Sequence, residues 1–148
     1  MEHKVKYKVI RQFGPSVFQT QIPNDIVEKL NEYTDRIIKD KKTSEKLDHG
    51  KALVGDVAQE IKLQNDFMNQ IGWVQFLGNC VAKWIEIETQ KKITKFNLKQ
   101  SWIVRQFKNE YNPTHWHSGH VSGAGFLKVP KTLGDHVQKK DTDYKGGG

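Results

Sequence analysis

Apolar residues recur at two different periods along this chain, and the change of period divides it into a helical front and a β-rich back. The opening "VKYKVIRQF" alternates charge with β-formers, and "GPS" turns it into a second short run, "VFQTQI". Together they predict a strand, a turn and a second strand. Next, "PNDIVEKLNEYTDRIIKDKK" places Ile26, Leu30, Tyr33 and Ile37 at steps of three and four, the signature of a helix with one buried stripe. Asn24 is a candidate N-cap, with Asp25 and Glu28 near the positive end of the helix dipole and Lys39, Lys41 and Lys42 near the other.

The stretch "TSEKLDHGKALVGDVAQEIKL" is polar, carries Gly50 and Gly55, and reads as a loop with a short element. A second long helix is expected over residues 65–88. There Phe67, Ile71, Val74, Leu77, Val81 and Trp84 step along one face, while Gly72 and Gly78 weaken it locally. His49 and Cys80 read as a loop and a core residue. From Lys95 the period becomes two: Trp102, Val104 and Gln106 fall on one face, and Ile103, Arg105 and Phe107 on the other. "VSGAGFLKVP" predicts a further strand, closed by Pro130. No repeat or linker interrupts the pattern, so residues 1–148 are read as one domain.

Composition narrows the classes. With 36% hydrophobic and 28% charged residues, the chain has enough apolar material for one core. No run approaches the ~18 apolar residues of a membrane span. One cysteine rules out an internal disulfide and points to a reducing compartment. The net charge of +7 raises nucleic acid as a partner. However, the lysines are spread along the chain in short clusters such as "KDKK" and "QKK", the mark of a solvated basic surface.

Chemistry concentrates in "NEYNPTHWHSGHVSGAGFLKVP", which holds three of the six histidines. His115 and His117 are two apart, so on a strand both imidazoles project from one face and reach one point, within the ~2.1 Å that a ring nitrogen needs to a divalent metal. Trp116 then faces the other way, into packing. His120 reaches the same point only where Ser118-Gly119 bends the chain. A half-exposed pair without a ligand is the plain alternative. Asn112-Pro113 and Ser118-Gly119 are turn signals that put the histidines at a strand's end, where a pocket mouth lies.

"SWIVRQFKNEYNPTHWHSGHVSGAGFLKVP" resembles the core signature of Fe(II)- and 2-oxoglutarate-dependent oxygenases, in the prolyl-hydroxylase-like branch found in bacteria and their viruses. Trp102, Tyr111, Asn112, Pro113, His115, His117, Ser122, Gly123, Leu127 and Pro130 carry the likeness. It extends over residues 45–130 and is specific only from 101 to 130. The resemblance implies an α+β fold, with helices packed on a partial double-stranded β-helix of the jelly-roll or cupin kind and antiparallel strands. It implies a dioxygenase, a hydroxylase of unread substrate, using Fe(II) and 2-oxoglutarate in the cytoplasm of a bacterium or a virus-infected host cell. His115 becomes the first metal ligand. His117 stands where most such oxygenases have Asp or Glu, and this branch carries His. Tyr111 and Arg105 fall where the wider family places cosubstrate contacts.

The family's distal histidine and its basic 2-oxoglutarate anchor come several strands later. Eighteen residues follow Pro130, and His136 among them reads as an exposed loop residue. The expectation is therefore a barrel lacking its C-terminal half, with weak or no turnover to succinate. Two other readings are carried forward. One is a non-enzymatic cupin-like or viral accessory module with its histidines unmetallated. The other is a dizinc hydrolase using His115, His117 and His120, although Gly119 stands where those enzymes normally have Asp.

Overall fold

A computed structural model describes residues 6–12, 14–50 and 53–130. In chain order the elements are β1 (Tyr7–Ile10), β2 (Val17–Thr20), α1 (Asn24–Lys39), α2 (Lys41–Leu47), β3 (Gln59–Lys62), α3 (Asn65–Gln70), α4 (Trp73–Thr89) and β4 (Trp102–Arg105). The class is mixed α+β, with two two-stranded antiparallel sheets, and the described residues form no closed barrel. His136 lies outside the described residues.

The expected N-terminal hairpin is present, with Tyr7 paired to Thr20 and Ile10 to Val17. It is stapled to α4 twice. Arg11 donates to the Glu88 carboxylate at 2.7 and 3.1 Å, and Trp84 Nε1 donates to Ser16 Oγ at 2.8 Å.

The α1 stripe forms the centre of the core, as its period requires. Ile26, Leu30, Tyr33 and Ile37 are all buried, and they belong to one cluster with Leu47, Ile61, Leu63, Met68, Ile71, Phe76 and Cys80. Tyr33 stacks on Phe67 at 3.9 Å and donates its hydroxyl to Gln64 Oε1 at 3.1 Å, while burial pushes its phenol upward.

The helix ends differ from expectation. Asn24 is the first helical residue rather than the cap; Pro23 precedes it, and the Pro23 carbonyl accepts from the amides of Ile26 and Val27 at 3.0 Å. The far end does not run on to Lys42. Asp40 adopts an extended backbone, closes α1, and caps α2 by accepting from the Lys42 amide at 3.1 Å and the Thr43 hydroxyl at 2.7 Å. Those hydrogen bonds, from Thr43 above all, hold its carboxyl below the usual carboxylate range.

The single helix expected over 65–88 is two. Gly72 sits at φ +78° between α3 and α4, a conformation that costs a residue with a side chain about 1–2 kcal/mol. Nothing lies within 4 Å of where a Gly72 side chain would begin, so Gly72→Ala isolates that backbone cost. The expected result is a loss of about 1–2 kcal/mol of unfolding free energy in urea, with the denaturant slope unchanged. Gly78 has a different role: a side chain there would press on the Phe96 ring at 3.2 Å, so the glycine seats Phe96 against α4.

β3 emerges from a stretch expected to be loop. It pairs with β4 in the register Gln59 to Arg105 and Lys62 to Trp102, and Asp48 bridges to Ile61 on its other edge. The final strand, expected over "VSGAGFLKVP", does not form. A strand persists only where a neighbour satisfies its backbone, and the described residues give this segment none. It is held instead by single contacts. Leu127 packs on the core, Lys128 reaches Asp35 at 3.6 Å, and the backbone at Gly125 passes close to Ile22.

Candidate metal site

The segment carrying the histidines is fixed at its upstream end. After β4 the chain turns at Asn109, φ +71°, and the Glu110 carboxylate clamps the turn by accepting from the Phe107 amide at 2.8 Å and the Ala58 amide at 3.1 Å. Tyr111 and Asp56 then exchange backbone hydrogen bonds at 2.9 and 3.4 Å. Gly55 leaves the space that the Asn112 side chain fills, and any side chain at 55 would collide with it. Pro113 therefore leaves from a defined point.

His115 folds back on that point, with Nδ1 2.7 Å from the Pro113 carbonyl oxygen. A carbonyl only accepts, so Nδ1 carries the proton and Nε2 of the neutral ring keeps its lone pair. Nε2 of His115 lies 3.0 Å from Nε2 of His117, the two rings standing nearly perpendicular at 80°. His117 in turn leans on Trp102, with ring centres 5.6 Å apart, and His49 leans on the same indole at 5.5 Å. The imidazoles thus meet without the strand that was expected to align them; a turn and one carbonyl do it.

Two nitrogens bound at ~2.1 Å to one ion lie about 3.0 Å apart when they subtend a right angle, and about 3.4 Å apart at the tetrahedral angle. The observed separation matches the edge of an octahedron. It also equals an ordinary hydrogen bond between a protonated and an unprotonated ring nitrogen. The distance alone fits both arrangements. Among the described residues no three His, Cys, Asp or Glu side chains are grouped tightly enough to hold a metal.

Trp116 does not pack; it is 85% exposed, because without a strand ladder the residue between two like-facing histidines has no opposite face to fill. No ring contact or hydrogen bond joins His120 to the pair among the described residues. Arg105 pairs loosely with Asp35 at 4.0 Å and covers the Phe107 ring at 5.7 Å. Tyr111 keeps an exposed ring. Cys80 is buried, and burial pushes its thiol up.

Two groups escaped the sequence reading. His49 lies in a loop, as its sequence context implies, but its packing on Trp102 is not encoded locally. Glu60 is 1% exposed, and neither carboxylate oxygen has a hydrogen-bond partner. Desolvation pushes its carboxyl up, His49 opposes that, and Asp48 and Glu110 add to it. The alternation of Ile61 and Leu63 with polar neighbours was the signal for a strand here, but its short length hid it. No protein-family model, curated protein or solved structure matches this chain.

Proposed function

We propose that His115 and His117 are the metal-binding edge of an Fe(II)- and 2-oxoglutarate-dependent oxygenase, a hydroxylase built on a double-stranded β-helix to which the β3–β4 pair belongs. The observation that carries this reading is the 3.0 Å approach of two Nε2 atoms, one of them freed for coordination by the Pro113 carbonyl. Iron bound there with 2-oxoglutarate would couple decarboxylation of the cosubstrate to oxidation of a C–H bond by O₂. The chain's own residues supply orientation. Pro113 sets the His115 tautomer, Trp102 backs the His117 ring, and Glu110 fixes the turn from which both hang. Arg105, held by a 4.0 Å ion pair to Asp35 and its place over the Phe107 ring, is assigned to a cosubstrate carboxylate, and the exposed Tyr111 is the second polar contact assigned to it.

A second reading is favoured by the exposure of both rings: a binding module in which the 3.0 Å contact is a hydrogen bond between histidines. For the dizinc reading, no ring contact or hydrogen bond joins His120 to the pair among the described residues. Anaerobic titration separates the first two. Fe(II) followed by 2-oxoglutarate is expected to give a visible charge-transfer band that neither component gives alone. Absence of the band, with no iron retained after gel filtration, would leave the binding module in possession.

A further inference from the structure

Among the described residues the Glu60 carboxylate has the least explained surroundings. It lies inside β3, 1% exposed, with both oxygens unpartnered. A buried carboxylate in this state is strongly disfavoured unless it is paired, protonated or bound to a metal. Its charged neighbours are His49, Asp48 and Glu110. Asp48 sits on the neighbouring edge, where it bridges to Ile61, and the His49 amide donates to the Glu60 carbonyl at 2.8 Å. Between them Gly50 matters by what it lacks. A side chain there would begin 3.3 Å from Asp48 Oδ1 and 3.3 Å from Glu60 Oε2. The two carboxylates therefore face one small space, and a glycine keeps it open. Asp48 Oδ1 accepts from the Gly50 amide at 3.0 Å, and Glu110 is engaged by the amides of Ala58 and Phe107. Among the described residues no lysine or arginine pairs with Glu60 or Asp48.

We infer that Glu60 and Asp48 bind a divalent cation of the hard, oxygen-preferring class, Mn²⁺ or Mg²⁺. Ions of this class need no cage of protein ligands; one or two carboxylates suffice, with water completing the octahedron. That suits a place where three side chains are not drawn together. Asp48 is exposed and Glu60 buried, so the ion enters beside Asp48 and meets Glu60 at the inner end. Among the described residues no hydrogen bond or ring contact joins Glu60, Asp48 or His49 directly to His115 or His117, and the Trp102 ring touches both His49 and His117. The inference does not depend on the oxygenase reading.

The test uses the full chain carrying H115A and H117A, so that only the Glu60 site is read. Titration with MnCl₂ is expected to saturate at one ion per chain and to raise the melting temperature above its value in EDTA. Glu60→Gln keeps the shape and removes the charge. It should weaken Mn²⁺ at least ten-fold while melting in EDTA no lower than its parent. Asp48→Asn, at an exposed position that leaves the core intact, should weaken Mn²⁺ as well. Unchanged Mn²⁺ affinity in E60Q, or no saturable binding in the parent, overturns the site and leaves Glu60 a neutral acid of the core. Iron binding at the histidine pair is absent from this background, so its success or failure bears on the other proposal alone.

Discussion

Leu30→Ala is expected to destabilise the protein by about 2–5 kcal/mol, the range for emptying a large aliphatic site that cannot collapse. Leu30 is 1% exposed and central to the α1 stripe, with Ile26 before it and Tyr33 and Ile37 after it. Its surroundings resist collapse. Thr34 is tied to the Leu30 carbonyl at 2.8 Å, and Tyr33 is stacked on Phe67 and bonded to Gln64. Domains of this size are stable by about 5–15 kcal/mol, so the loss is a large fraction of the total. At a urea slope of about 1–3 kcal/mol per molar, the midpoint should fall by roughly 1–2 M with the slope preserved. A midpoint within 0.3 M of the parent (about 0.5 kcal/mol at such slopes) would show that α1 does not organise the core.

Leu30 was legible because a period of three and four, with charge between, has one physical solution: a helix with one dry face. The hairpin was legible for a similar reason, since its partners are close in sequence. β3 was not. Its four residues pair with β4 from Gln59 to Arg105, and no local pattern encodes a partner so far away. The break at Gly72 was hidden because apolar residues continue on both sides of it, at Ile71 and Val74, so the period never lapses while the backbone turns left-handed.

The strand expected after the histidines shows the reverse error. "VSGAGFLKVP" has β-like alternation, but alternation makes a strand only where a neighbouring strand accepts it. Trp116 was misplaced by the same assumption. The histidine pair survived the loss of its strand because its geometry needs only two short links, His115 to the Pro113 carbonyl and His117 to Trp102. Glu60 could not have been found from sequence, since a carboxylate at an alternating position beside Ile61 reads as solvated until the fold buries it.

The second large effect falls on that pair. His115→Ala and His117→Ala are each expected to weaken Fe(II) on the order of 100-fold or more, because altering even a group behind a metal ligand typically costs about 10–100-fold. Both side chains are exposed, and substitutions at such surface positions shift stability by only about 0.5 kcal/mol, so the variants should remain folded. Anaerobic Fe(II) titration in an E60Q background reads the pair alone. His117→Asp is the informative rescue. It places there the carboxylate that the oxygenase reading proposed above accepts at this position, and on that reading iron should be retained near the parent affinity, whereas a histidine–histidine hydrogen bond would gain nothing from it. Iron retained equally by all four proteins would place the metal elsewhere. Retention by the parent and H117D, with loss in both alanine variants, is what two side-chain ligands converging on one ion from positions 115 and 117 demand.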